Sequence, residues 1–282
     1  VYQLNFFNCV ALQTPGASAV GLFARRLSGS SIHLNIAMIK AILTGHTKGL
    51  GAAIAADLLG RGIEVLGLAR GTAPALAARF PQALDQVGLD LADSTALAAW
   101  LAGGALAARI AGCNTVLLIN NAGSVQPVGP LATQDAAAVA RAVALNIAAP
   151  LMLAGAVAAA RALRTECRIL HISSGAGRSA YPGWSVYCAT KAALDQHARA
   201  VAIDHNVNLR ICSLAPGVID TGMQAEIRAL PLEQFPLRQR FDALKRDGEL
   251  ANPAECARNL VDFLLGDQFG KTPVADLRNF VA

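Results

Sequence analysis

Charge is scarce in this chain. Only 15% of its 282 residues are Asp, Glu, Lys or Arg, and aromatic residues make up 5%. The formal net charge of +5 draws partly on Arg25 and Arg26, which stand in an atypical N-terminal segment. No dense basic run remains to track a phosphate backbone, so nucleic acid is not an expected partner. Paired cysteines are missing as well. The six cysteines, at 9, 113, 167, 188, 212 and 256, form no CxxC pair and no His/Cys cluster at metal-ligand spacing. They read as free thiols in a reducing cytoplasm, and no metal is expected.

Residues 1–37 contain no Asp or Glu and include TPGAS and SGSS. They read as a disordered or extraneous leader, with Met38 as the natural start of a single domain over 38–282. No secretory h-region with a cleavage site stands out. One stretch imitates a membrane span: AVALNIAAPLMLAGAVAAA, residues 142–160, carries no charge. It is mostly alanine, however, and holds Asn146 and Pro150. The expectation is a buried or subunit-facing helix and no membrane partner.

What is present in quantity is apolar. Hydrophobic residues reach 54% and mean hydropathy is +0.42, enough for a large core. From residue 38 short apolar runs alternate with stretches of helical spacing. Strands are expected at 38–44, 63–70, 86–91, 114–123, 167–174, 207–217 and 273–278. Helices are expected at 50–62, 73–80, 94–110, 132–163, 185–205 and 253–266. Near-continuous apolar strands alternating with helices imply an α/β fold, one doubly wound parallel sheet with helices on both faces.

TGHTKGLG, residues 44–51, falls where the first strand meets the first helix. Glycines there let backbone N–H groups approach a pyrophosphate, so Gly45, Thr47, Lys48, Gly49, Leu50 and Gly51 are expected to cradle a dinucleotide. The second strand ends in Arg70 rather than in the acidic residue that accepts from an NAD ribose. Lys48 adds a second cation, and the pair points to NADP(H). In YPGWSVYCATK, residues 181–191, Tyr187 and Lys191 are one helical turn apart and share a face. A free phenol, with pKa about 10, gives and takes protons poorly at neutral pH, and a neighbouring ammonium is expected to bring it down. Tyr181 has no such partner and is assigned to the pocket wall. Cys188 reads as a small packing residue, and His171 as a hydrogen-bonded interior residue rather than a base.

Together, TGHTKGLG, Asn120-Asn121-Ala122-Gly123, Ser174 thirteen residues before Tyr187, the Tyr187-Cys188-Ala189-Thr190-Lys191 spacing and Pro216-Gly217 resemble the short-chain dehydrogenase/reductase family. The stretch APGVIDTGMQAEIR, residues 215–228, is similar to its sepiapterin reductase and benzil reductase branch. The resemblance implies a Rossmann fold and a catalytic set of Ser174, Tyr187, Lys191 and Asn146, with Asn146 supporting a water relay to Lys191. It implies Asp90 and Leu91 beside the adenine, Asn121, Ala122 and Gly123 lining the cofactor, and Pro216, Gly217, Ile219 and Thr221 near its carboxamide and phosphates. Val125, Gln126, Tyr181, Trp184 and Met223 are the candidate substrate pocket, beneath a mobile lid over 220–250. The expected activity is NADPH-dependent reduction of a benzil-like ketone or diketone, with a pterin reductase or a non-catalytic dinucleotide sensor as alternatives. A homodimer or homotetramer is implied.

Overall fold

The structure, a computed structural model, describes residues 38–280. The expected leader over 1–37, with Cys9, lies outside the described residues. Among the described residues seven strands form: β1 (Ile39–Thr44), β2 (Glu64–Ala69), β3 (Leu84–Gly88), β4 (Thr115–Asn120), β5 (Glu166–Ile172), β6 (Leu209–Ala215) and β7 (Val274–Asp276). The helices are α1 (Gly49–Gly60), α2 (Pro74–Arg79), α3 (Ser94–Ala102), α4 (Ala105–Ile110), α5 (Ala136–Val143), α6 (Ala149–Ala160), α7 (Ser185–Ile203), α8 (Gly222–Arg228), α9 (Arg238–Arg246) and α10 (Pro253–Leu265).

Neighbouring strands all pair in parallel, in the order β3-β2-β1-β4-β5-β6-β7. Successive strand residues point to opposite faces, and each face needs its own cover. Ala41, Leu43, Leu117, Ile119, Leu170 and Ile172 share a core with α1 and α10. Ile42, Val116, Leu118, Ile169 and Ile211 share the other with α3, α4, α6 and α7. Strand order reverses between β1 and β4, and the crevice beyond the C-terminal ends of such strands is where this architecture receives ligands.

Four local expectations change. The third strand is Leu84–Gly88 rather than 86–91, because the Asp90 carboxylate accepts from Ala92 N–H at 3.0 Å and turns the chain. The helix expected over 94–110 breaks at Gly103 and Gly104, where Gly104 takes a left-handed φ of 75°. The one expected over 132–163 is α5, a π-helical turn at Ala144–Ala148, and α6. Pro150 has no N–H to offer the carbonyl four residues earlier, which is that of Asn146. The expected lid folds as α8 and α9. Residues 142–160 belong to Ala136–Ala160, the one helical stretch among the described residues that is long and apolar enough to cross a membrane; Ala149, Leu153, Ala154 and Val157 are built into the second core.

Candidate active site

At the switch point the chain tightens onto itself. Gly45 and Gly49 take φ of 71° and 55°, where a side chain is strained. A Cβ on Gly51 would sit 2.1 Å from the Gly45 carbonyl oxygen and 2.5 Å from Asn121 Nδ2. The turn is pinned from β4. Thr44 Oγ1 accepts from the N–H groups of Asn121 and Ala122, each at 2.9 Å. Asn121 Nδ2 donates to the carbonyls of Thr44 (2.9 Å) and Gly45 (3.3 Å). Its side chain is thus a strut for the turn. Lys48 caps α1 without a side-chain bond, and no acid occupies the first turn. The helix therefore starts with free N–H groups, a donor set that suits a pyrophosphate. Thr221 closes over it, with Cγ2 3.4 Å from where a Gly49 Cβ would be. Lys48 and Arg70 are exposed, and neither makes an ion pair among the described residues.

Asp90 and buried Leu91 lie just past β3 on the same side. The Ala92 N–H and then Arg141, at 3.2 Å, hold the Asp90 carboxyl below its ordinary range. Ile219 is buried and bridges in parallel to Ala251, so the loop beyond Pro216 and Gly217 is anchored.

Ser174, Tyr187 and Lys191 come together. Ser174 caps a short 3₁₀ turn after β5, its Oγ accepting from Ala176 N–H at 3.2 Å. Lys191 Nζ donates to the Ile172 carbonyl at 2.8 Å and stands 5.6 Å from the Tyr187 ring centre. Burial pushes the Tyr187 phenol up to about 12, while the neighbouring Ser174 hydroxyl pulls the other way. The expectation of a lowered phenol is therefore not met in the protein alone. Lys191 has turned its ammonium toward a carbonyl, and burial outweighs the rest. Burial also lowers Lys191 to about 8, against an upward pull from Asp195.

Asn146 lies in the π-helical turn, 1% exposed. Its Oδ1 accepts from Ser124 N–H at 2.9 Å, and its Nδ2 donates to the Ser124 carbonyl at 2.8 Å and to Thr190 Oγ1 at 3.2 Å. A Cβ on Gly123 would sit 3.3 Å from Asn146 Oδ1 and 3.6 Å from Lys191 Nζ. A side chain at 123 would crowd Asn146, which glycine avoids.

Behind this set sits a residue that sequence reasoning missed. Asp195 is 1% exposed, four residues past Lys191 on α7. Its Oδ1 accepts from Ser173 Oγ and Ser213 Oγ, each at 2.7 Å, and its Oδ2 from Arg178 Nε at 3.0 Å. Arg178 continues to the Ala275 carbonyl on β7 at 2.8 Å. An acid in register with Tyr187 and Lys191 on one helix face was the signal available. His171 is fully buried, near Asn120 Nδ2 (3.1 Å) and His197 Nδ1 (3.0 Å), the interior residue expected.

The residues expected to line a substrate pocket sit among aromatic rings. The Trp184 ring centre lies 5.5 Å from that of Tyr181, 5.3 Å from Tyr187 and 4.7 Å from Phe235, on which it stacks. Val125, Tyr181, Trp184 and Met223 belong to one apolar cluster with Tyr187. Gln126 is exposed beside it, its Oε1 accepting from Val128 N–H. Cys188 also packs against this cluster. Phe235 and Phe241, from the segment expected as a lid, are buried in it.

Residues 40–231 match the family model described as short chain dehydrogenase. The chain is 32% identical over 235 residues to a benzil reductase ((S)-benzoin forming) of Bacillus cereus, covering 81% of this chain and 94% of that one. It is 31% identical over 242 residues to the sepiapterin reductase of Meriones unguiculatus, covering 81% and 92%. A solved short-chain dehydrogenase/reductase from Burkholderia vietnamiensis is 53% identical, with a TM-score of 0.64 over 87% of this chain and 99% of that one.

Proposed function

The chain belongs to the short-chain dehydrogenase family, and from that premise we propose that it is a reductase converting a ketone or diketone to a secondary alcohol with NADPH. The observation that carries this is the convergence of Ser174, Tyr187 and Lys191 under an aromatic wall. A phenol raised to about 12 keeps its proton at neutral pH, the form a carbonyl reduction needs in its acid.

The glycine turn would hold the pyrophosphate, Asp90 and Leu91 the adenine side, and Gly123, Lys191, Pro216, Gly217, Ile219 and Thr221 the nicotinamide side. Lys48 and Arg70, with no acid at the end of β2, favour a 2′-phosphate. When bound, the reduced nicotinamide supplies hydride to the carbonyl carbon. Ser174 Oγ holds the substrate oxygen, and Tyr187 gives that oxygen its proton. The Lys191 ammonium stabilises the phenolate left behind, and a water relay to Lys191, supported by Asn146, would return the proton from solvent.

Trp184, Tyr181, Val125 and Met223 offer rings and methyls but few fixed polar groups, which suits an aromatic diketone. The benzil reductase relatives support the same class, and the sepiapterin reductases make a pterin the second substrate to try. Free thiols are compatible with a cytoplasmic setting. Self-association as a dimer or tetramer belongs to the same reading.

The test is a panel of diketones and pterins, each assayed with NADPH and NADH by absorbance. Tyr187→Phe should lower turnover by about 10²–10⁴-fold while NADPH binding persists. Undiminished turnover would remove Tyr187 from its role. Cofactor binding without turnover of any carbonyl would favour a sensor.

A further inference from the structure

One side-chain oxygen joins the two segments that carry Lys48 and Arg70. Gln86, on β3, accepts at Oε1 from the Ala73 N–H at 2.7 Å, three residues past Arg70. The same Oε1 lies 2.8 Å from Nε2 of His46, two residues before Lys48. An amide oxygen only accepts, so Nε2 carries a proton and donates. His46 is fully buried, and its Nδ1 has no partner among the described residues. Burying an imidazole with an idle nitrogen is unfavourable in itself. The ring also dictates β2: a Cβ on Gly67 would fall 2.5 Å from its Cγ and Nδ1. Hence a glycine stands inside a strand, where it contributes nothing to packing.

We propose that the His46–Gln86 pair positions the protein for cofactor discrimination, holding the Lys48 turn and the Arg70 loop at the separation that grips a 2′-phosphate. The proposal rests on the NADPH reading above. The pyrophosphate cradle is braced independently by Thr44 and Asn121, so loss of the pair unfastens the phosphate-selecting arm and leaves the cradle in place. The pair touches no reacting atom; these are positioning residues.

The experiment needs no carbonyl substrate. Dissociation constants for NADPH and NADH are read from the fluorescence of the reduced nicotinamide, for the unaltered chain, Gln86→Leu, Gly67→Ala and His46→Ala/Gly67→Ala. Gln86→Leu should weaken NADPH about tenfold and change NADH by less than about twofold. Gly67→Ala, which drives its methyl into the ring, should do the same. The double variant should be no worse than Gly67→Ala, since the methyl then meets no imidazole. Equal losses of both cofactors, or an unchanged ratio, overturn the proposal, and a thermal melt identifies any variant that has not folded. Should Gly67→Ala not fold, Gln86→Leu decides. An unaltered chain that binds NADH as tightly as NADPH removes the NADPH reading itself, and this proposal with it.

Discussion

The Lys191 ammonium, held near 8 by burial, titrates in an accessible range. Its charged form exists below that value and supports the phenolate left when Tyr187 gives up a proton. As pH rises through about 8 the charge is lost, so kcat/KM for reduction should fall there. A Lys191→Met variant should be slow and should lack that limb; a limb unchanged in this variant would assign it to another group. His171 predicts stability instead. Burial, with repulsion from His197 and Lys191, lowers it to about 3 from an ordinary 6.5. The unfolded chain takes up a proton that the folded one refuses, so this stability is present above 6.5 and drains as pH falls toward 3. The melting temperature should drop between pH 7 and pH 5, and less so in His171→Asn, if that variant folds. At this scale Tyr187, Lys191 and Ser174 were legible because fixed spacings carry them. Asp195, His46 and Gln86 were not, since their partners are 13–40 residues away and only the folded sheet brings them together.

Element boundaries were legible where apolar runs ended in glycine, as at α1 and β1. They were misread where one side chain redirects the backbone, as Asp90 does after β3. The segment over 220–250 looked like a loose lid because its charges are mixed. Its order comes from two residues, Phe235 and Phe241, which reach back to Trp184. A Cβ on Gly183 would lie 2.4 Å from the Gln234 carbonyl oxygen, so this approach is close. Phe235→Ala should cost about 3–5 kcal/mol, measured by denaturant unfolding, and should raise KM for a diketone. Full stability in that variant would mean the aromatic stack does not hold α8 and α9. The π-helical turn makes a similar point. Its alanines read as ordinary helix, and Pro150 was the visible sign of interruption.

The doubly wound sheet was legible as a whole because alternation of apolar strands and helices admits few other arrangements. Assembly beyond one chain was not, since the faces that would meet are spread over distant segments. Only 39% of the most apolar window of Ala136–Ala160 is buried within the single chain, and Val143 is 42% exposed. The proposed self-association would cover such a face, and light scattering should then return a multiple of 29.1 kDa. A monomer at micromolar concentration would contradict this.

The fork from Arg178 to Ala275 ties the loop behind Ser174 to the last strand of the sheet. During synthesis that strand leaves the ribosome after every other piece of the crevice. A chain lacking it would keep Ser174, Tyr187 and Lys191 yet lose the carbonyl that fastens Arg178, and with it one of the ties between that loop and the sheet.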